Sequence, residues 1–141
     1  MCGVTGCTSS VAFAPRSNLS RESAVMMAQQ TAMAAGGRVF TIAPTGSMKP
    51  TLDENSVVTV EVVNFDQLRT GDIVIYRNAS GIPIVHRLYE KVSNEWFVLG
   101  DNNSRVDREA VTAGNLLGRV CAIFYTSSGP QDVSLAAMAQ R

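Results

Sequence analysis

At 141 residues the chain can hold one ordinary domain with a real core and perhaps an appendage, but not two full domains. With 45% hydrophobic and 17% charged residues it reads as globular and not as disordered. Twelve Lys and Arg balance twelve Asp and Glu, so no whole-molecule field draws it to nucleic acid or to an anionic membrane, and nonspecific nucleic-acid binding is disfavoured.

Residues 1–19 are rich in Ser, Thr, Gly and other small side chains, with Pro15 discouraging a helix, and are expected to form a flexible arm. No Lys or Arg occurs before Arg16, and the only apolar stretch there is 11–14, so the features of a secretory signal are missing. Asn18 or Ser20 can cap a helix, Glu22 suits its positive start and Gly36-Gly37 ends it, which predicts one helix over Ser20–Ala35. Its most apolar part, Ala24–Ala35, is 12 residues long and is interrupted by Gln29, Gln30 and Thr31. A spanning helix needs roughly 18 to 20 apolar residues, so no integral membrane span is expected.

From Arg38 the texture changes to short β-branched and aromatic runs separated by turn residues. The expected strands are Val39–Ala43, Val57–Val63, Asp72–Tyr76, Ile82–Leu88, Trp96–Leu99 and Leu116–Tyr125. The fold class is therefore mainly β, antiparallel, with one N-terminal helix, and the β domain spans 38–127 after a helical segment at 20–37. Asn78-Ala79-Ser80 fits a glycosylation sequon but reads as a hairpin turn. Residues 128–141 are expected to be a loose tail, with one or two helical turns over Val133–Gln140. Cys2, Cys7 and Cys121 are an odd set without a disulfide framework, and a single His leaves no metal-ligand pattern, so no cofactor or metal is expected. Cys121, in an apolar run, reads as core.

Three stretches carry the chemistry. In Pro44-Thr45-Gly46-Ser47-Met48-Lys49-Pro50-Thr51-Leu52, Gly46 permits an unusual backbone and Pro50 stiffens the exit, so Ser47 sits on a turn that can present its hydroxyl. Nearby backbone N–H groups could face an oxyanion. Ile84-Val85-His86-Arg87-Leu88 places the sole His in a strand, and a neutral imidazole can accept a serine proton near neutrality. The polar loop 100–108 holds Asp101 and Asp107, either of which could orient that imidazole. Ser, His and Asp alone say little in a chain of this length; their order and spacing carry the signal.

Together these stretches resemble the type I signal peptidase family, within the serine proteases that include the LexA-like autoproteases. Thr45-Gly46-Ser47-Met48 through Leu52 resembles the nucleophile box, Gly71–Tyr76 the following Gly-Asp strand, Val85-His86-Arg87 the general-base box and Gly100–Arg108 the last box. Housekeeping bacterial members and the LexA-like branch use a lysine base; His86 and the Gly-Asp-Asn-Asn loop are instead similar to the endoplasmic-reticulum and archaeal type. The resemblance implies Ser47 as nucleophile, His86 as general base and Asp107 as its orienting carboxylate. It also implies Ser47 N–H and the Thr45 hydroxyl as oxyanion donors, with Gly46, Met48 and Pro50 shaping the site and Asp101 bracing the loop. It departs from the family in having only a short Ala/Met helix where an anchor usually stands. That helix, with Val25, Met26 and Met33 on its apolar face, is expected to pack on the β domain or on a partner.

The implied substrate is a protein or peptide cleaved after small residues at −1 and −3. The chain itself carries Ala-x-Ala at 12–14, 32–34 and 137–139, which makes self-processing an alternative. Another is a non-catalytic interaction protein on the same scaffold, joined to a larger assembly through the helix and arm. A LexA-like autoprotease fits less well, because residues 1–38 hold no helix-turn-helix and the base is histidine. The chain is expected to be soluble, cytoplasmic or assembly-associated, with peripheral membrane contact open.

Overall fold

A computed structural model describes residues 13–127. One helix, α1 (Arg21–Ala35), precedes six strands: β1 (Arg38–Thr41), β2 (Ser56–Glu61), β3 (Ile73–Arg77), β4 (Pro83–Val92), β5 (Glu95–Leu99) and β6 (Leu116–Tyr125). They form a single antiparallel sheet in the order β1-β2-β6-β3-β4-β5. The last strand thus lies in the middle and joins the early β1–β2 hairpin to the later β3–β4–β5 meander.

The helix begins where Ser20 accepts the Ser23 N–H at 3.1 Å and ends at Gly36, in the left-handed conformation at φ 66°. Its buried face is an alanine stripe, Ala24, Ala28 and Ala32, set four residues apart against Val57. Small side chains let the helix approach closely enough for the Thr59 hydroxyl to donate to the Ala28 carbonyl at 2.9 Å. The expected packing face is corrected accordingly: Val25 is partly buried, but Met26 and Met33 are 57% and 84% exposed. Among the described residues no helix is long and apolar enough to cross a membrane.

Alternation along β2 divides the interior. Val57 and Thr59 face the helix, whereas Val58 and Val60 join Met48, Leu52 and Ile75 in a second core. A third core, around Tyr76, Leu88, Trp96 and Val98, fills the meander. Cys121 is not core. Thr59 pairs with Ala122 and Val60 with Val120, so Cys121 is the extra residue of a β-bulge and is turned out, exposed.

The arm expected over 1–19 lies outside the described residues as far as residue 12. From there it is tied down: the Ala14 N–H donates to Asp53 at 3.1 Å, Arg16 pairs with Asp53 at 2.9 Å and the Ser17 hydroxyl donates to the Tyr125 carbonyl. The Asn78-Ala79-Ser80 segment is the β3–β4 turn, in which Asn78 Oδ1 accepts from the Ser80 and Ile82 N–H groups. Cys2, Cys7 and the tail expected at 128–141 lie outside the described residues.

Candidate active site

The Ser47 turn is built by its neighbours. Met48 and Leu52 are fully buried and pull the turn into the core, while Gly46, at φ 76°, reverses the chain just ahead of Ser47. The Lys49–Pro50 peptide is cis. Ser47 is half-buried between the Thr45 hydroxyl on one side and β4 on the other. Thr45 Oγ1 accepts from the Ser47 N–H at 3.3 Å and donates to Ser47 Oγ at 3.2 Å.

His86 is paired with Val74 in the sheet and is 7% exposed, a buried strand residue and not a solvent-facing one. Its Nε2 lies 3.3 Å from Ser47 Oγ and its Nδ1 bonds Asp107 Oδ2. A carboxylate on Nδ1 keeps the proton there and leaves Nε2 free to accept from the serine hydroxyl. Asp107 reaches this place because its N–H donates to the Val98 carbonyl at 2.9 Å, and Val98 sits on β5 opposite Leu88. Of the two loop carboxylates, then, Asp107 meets the imidazole.

Asp101 faces Arg87 and Thr51 instead. Arg87 donates to both its oxygens at 2.8 Å, a bidentate pair, and the Thr51 hydroxyl donates to Oδ2. Burial alone would raise the Asp101 carboxyl. The Arg87 and Thr51 hydrogen bonds, with the charges of Arg87 and His86, outweigh that and hold it below the ordinary range. The same pair raises Arg87. The loop also grips the serine turn: Asp101 N–H points at Met48 Sδ (3.4 Å), Asn102 N–H donates to the Ser47 carbonyl (2.9 Å) and the Asn102 amide donates to the Gly46 carbonyl (3.1 Å).

Beside Ser47 and His86 opens a cleft of about 350 Å³ whose walls include Phe40, Ile42, Ala43, Ile75, Ile84 and Val85. One wall follows the end of β1, an outer strand. The other follows Pro83–His86, the part of β4 that pairs with β3 but precedes the β5 register, which starts at Arg87. Among the described residues no three His, Cys, Asp or Glu side chains converge as metal ligands.

Residues 10–121 match a family described as Peptidase S24-like. The chain belongs to that family. The match takes in the Ser47 turn, the His86 strand and the Asp107 loop, and membership of a peptidase family makes protein or peptide the class of substrate. No curated protein matches the chain.

In this S24-like chain two further residues touch the site that motif reading passed over. Tyr76 is 2% exposed and donates its hydroxyl to Asp107 Oδ2 at 2.7 Å, the oxygen His86 also uses. Burial, the donated bond and the charges of Asp107 and Glu109 together push the phenol far above its ordinary value, so it stays a donor. The signal was present in the strand pattern: Tyr76 pairs with Ile84, two residues from His86 on the same face. Asn102 had only its place in the Gly-Asp-Asn-Asn loop to mark it.

Proposed function

We propose that the protein is a serine endopeptidase of signal-peptidase type, cleaving after small residues with Ser47 as nucleophile, His86 as general base and Asp107 orienting the base. The observation that carries this reading is the continuous contact from Ser47 Oγ to His86 Nε2 at 3.3 Å and from His86 Nδ1 to Asp107. A scaffold that had lost catalysis would have no use for a buried histidine held between a hydroxyl and a carboxylate.

In the reaction Ser47 Oγ bonds to the scissile carbonyl carbon, its proton passes to His86 Nε2, and the carbonyl π pair moves onto oxygen. His86 then gives that proton to the leaving amine as the C–N bond breaks. Water then attacks the acyl carbon as His86 takes its proton, the C–Oγ bond breaks to release the acid, and His86 returns the proton to Ser47 Oγ. Asp107 stabilises the imidazolium throughout. The developing oxyanion takes the Ser47 N–H, which already points to the Thr45 side of the cleft, and the Thr45 hydroxyl, which now donates to Ser47 Oγ and can rotate to a better acceptor. A peptide laid in the cleft can pair with the unpartnered side of Pro83–His86, as an added strand does at any free sheet edge. The apolar walls favour uncharged side chains beside Ser47.

A histidine base and the Gly100-Asp101-Asn102-Asn103 loop support the endoplasmic-reticulum/archaeal type within this reading. Self-processing has less support at two of its three sites. Ala14 is buried with its N–H bonded to Asp53, and Ala32-Met33-Ala34 lies inside α1; residues 137–139 are outside the described chain.

The test is cleavage of a peptide panel bearing Ala, Leu or Asp at −1, by wild type, Ser47→Ala and His86→Ala. Wild type is expected to cut after Ala, and each variant to lose about 10³-fold or more. A folded wild type with no turnover, or a Ser47→Ala variant that still cuts, removes the proposal.

A further inference from the structure

We propose that Asn102 is a positioning residue that aims the Ser47 N–H at the oxyanion; this rests on the peptidase reading above. A peptide unit is planar and trans, so the carbonyl of one residue and the N–H of the next point in opposite directions. The Asn102 side-chain amide holds the Gly46 carbonyl at 3.1 Å. Holding that oxygen fixes the orientation of the Ser47 N–H, which points the other way, to Thr45 Oγ1 on the cleft wall.

The clamp is needed because of Gly46. At φ 76° a glycine has no Cβ to restrain it, so the Gly46–Ser47 peptide plane depends on what holds its carbonyl: the Lys49 N–H at 3.3 Å, within the turn, and the shorter bond from the Asn102 amide at 3.1 Å. Asn102 holds both peptide planes that flank Ser47. Its main-chain N–H takes the Ser47 carbonyl at 2.9 Å, which sets the next peptide plane, and its amide takes the plane before. Asn102 is itself held by a loop that the Asp101–Arg87–Thr51 bonds fasten to β4 and to the far end of the serine turn. Asn102 touches neither substrate nor the reacting atoms in this scheme; it acts through Ser47.

The experiment compares full-length wild type with Asn102→Ala and Asn102→Asp, both of which keep the main-chain N–H and lose the amide donor. Two readouts are taken: the separate kcat and KM for an Ala-x-Ala peptide, and the affinity for a matching peptide boronate. The boronate accepts Ser47 Oγ and places an oxygen where the oxyanion forms. Mis-aiming one donor should lower kcat by roughly 10- to 100-fold, less than outright loss of a donor costs. KM should stay within about twofold, as expected when an interaction made only in the transition state is removed, and boronate affinity should fall in step with kcat. Because Asn102 is exposed, both variants should fold like wild type. Full activity in both variants overturns the inference, and so does a loss carried by KM with boronate affinity intact. If wild type itself shows no turnover, the peptidase reading fails and this inference falls with it; wild-type turnover with unaffected Asn102 variants removes this inference alone.

Discussion

Gly100→Ala tests whether the loop seats Ser47. A Cβ at Gly100 would lie 2.7 Å from the Ser47 carbonyl oxygen and 2.7 Å from Asn103 Nδ2. The Asn103 amide can swing away, but the Ser47 carbonyl is backbone and already accepts the Asn102 N–H. Even a close C–H···O contact needs about 3.3 Å, so the loop and the serine turn must part by roughly 0.6 Å. Forcing a methyl into such a contact costs about 1–3 kcal/mol. At roughly 4 °C per kcal/mol that lowers Tm by about 4–12 °C. A displacement approaching 1 Å at a catalytic group costs on the order of 100-fold, so kcat/KM should drop by about 10- to 100-fold. Gly114→Ala is the control: its Cβ meets nothing nearer than Thr112 Oγ1 at 3.8 Å. Thermal melts and peptide hydrolysis on both variants decide the matter. A Gly100→Ala protein indistinguishable from Gly114→Ala would refute the idea that this loop is packed hard against Ser47.

Tyr76→Phe removes one donor from Asp107 without leaving an orphan group, and a hydrogen bond to a charged acceptor is worth about 1.5–3 kcal/mol. We expect kcat to fall about tenfold with KM little changed, and the His86 Nδ1–H proton resonance to move; an unmoved resonance and unchanged kcat would count against the shared carboxylate. Thr45→Val should lower kcat by roughly 10²-fold. Because Thr45 is exposed, its melting temperature should match wild type, and wild-type kcat would exclude the hydroxyl as an oxyanion donor. Asp53 is buried, which raises its carboxyl. The hydrogen bond and charge of Arg16 and the N–H groups of Asn55 and Ala14 together outweigh burial and hold it below 3.8. A carboxyl depressed on folding adds stability that is present above the unfolded value and is lost as pH falls through the folded one. Asp53→Asn should therefore flatten the Tm-against-pH curve between about pH 5 and pH 2. An acid limb as steep as that of wild type would contradict this.

Much of the architecture was legible because local signals agreed with one another. Ser20 and Gly36 bracket the helix within a residue of where capping rules put its ends, and each expected strand overlaps an observed one. Local pattern could not see what depends on register or on approach distance. Cys121 reads as core in an apolar run and is turned out by a bulge that only the β2–β6 pairing creates. Met26 and Met33 are the hydrophobic choice for a buried helix face, yet Ala24, Ala28 and Ala32 take it because the helix comes close enough to bond Thr59. At the site, Ser47, His86 and the two aspartates stood out by motif order. Which aspartate meets the imidazole depends on the Asp107 N–H docking on Val98, a contact between a loop and a strand that spacing along the chain does not encode.

In the proposed mechanism a histidine base stands in place of a lysine, and that alters what the rest of the site must supply. A lysine base has to be neutral near pH 7, which calls for burial away from negative charge, and a carboxylate beside it would hold it protonated. A histidine has the opposite need: its second nitrogen must be bonded so that the right tautomer faces the serine. The surroundings of position 86 match the second requirement, because Asp107 lies on Nδ1 and Tyr76 shares its charge. The guanidinium of Arg87, next to His86 in the chain, is engaged by Asp101. The two aspartates of one short loop thus divide the work by partner, one bonded to the strand histidine and the other to the arginine that follows it. Their separation lets a single loop both orient the imidazole and fasten the turn that carries Ser47.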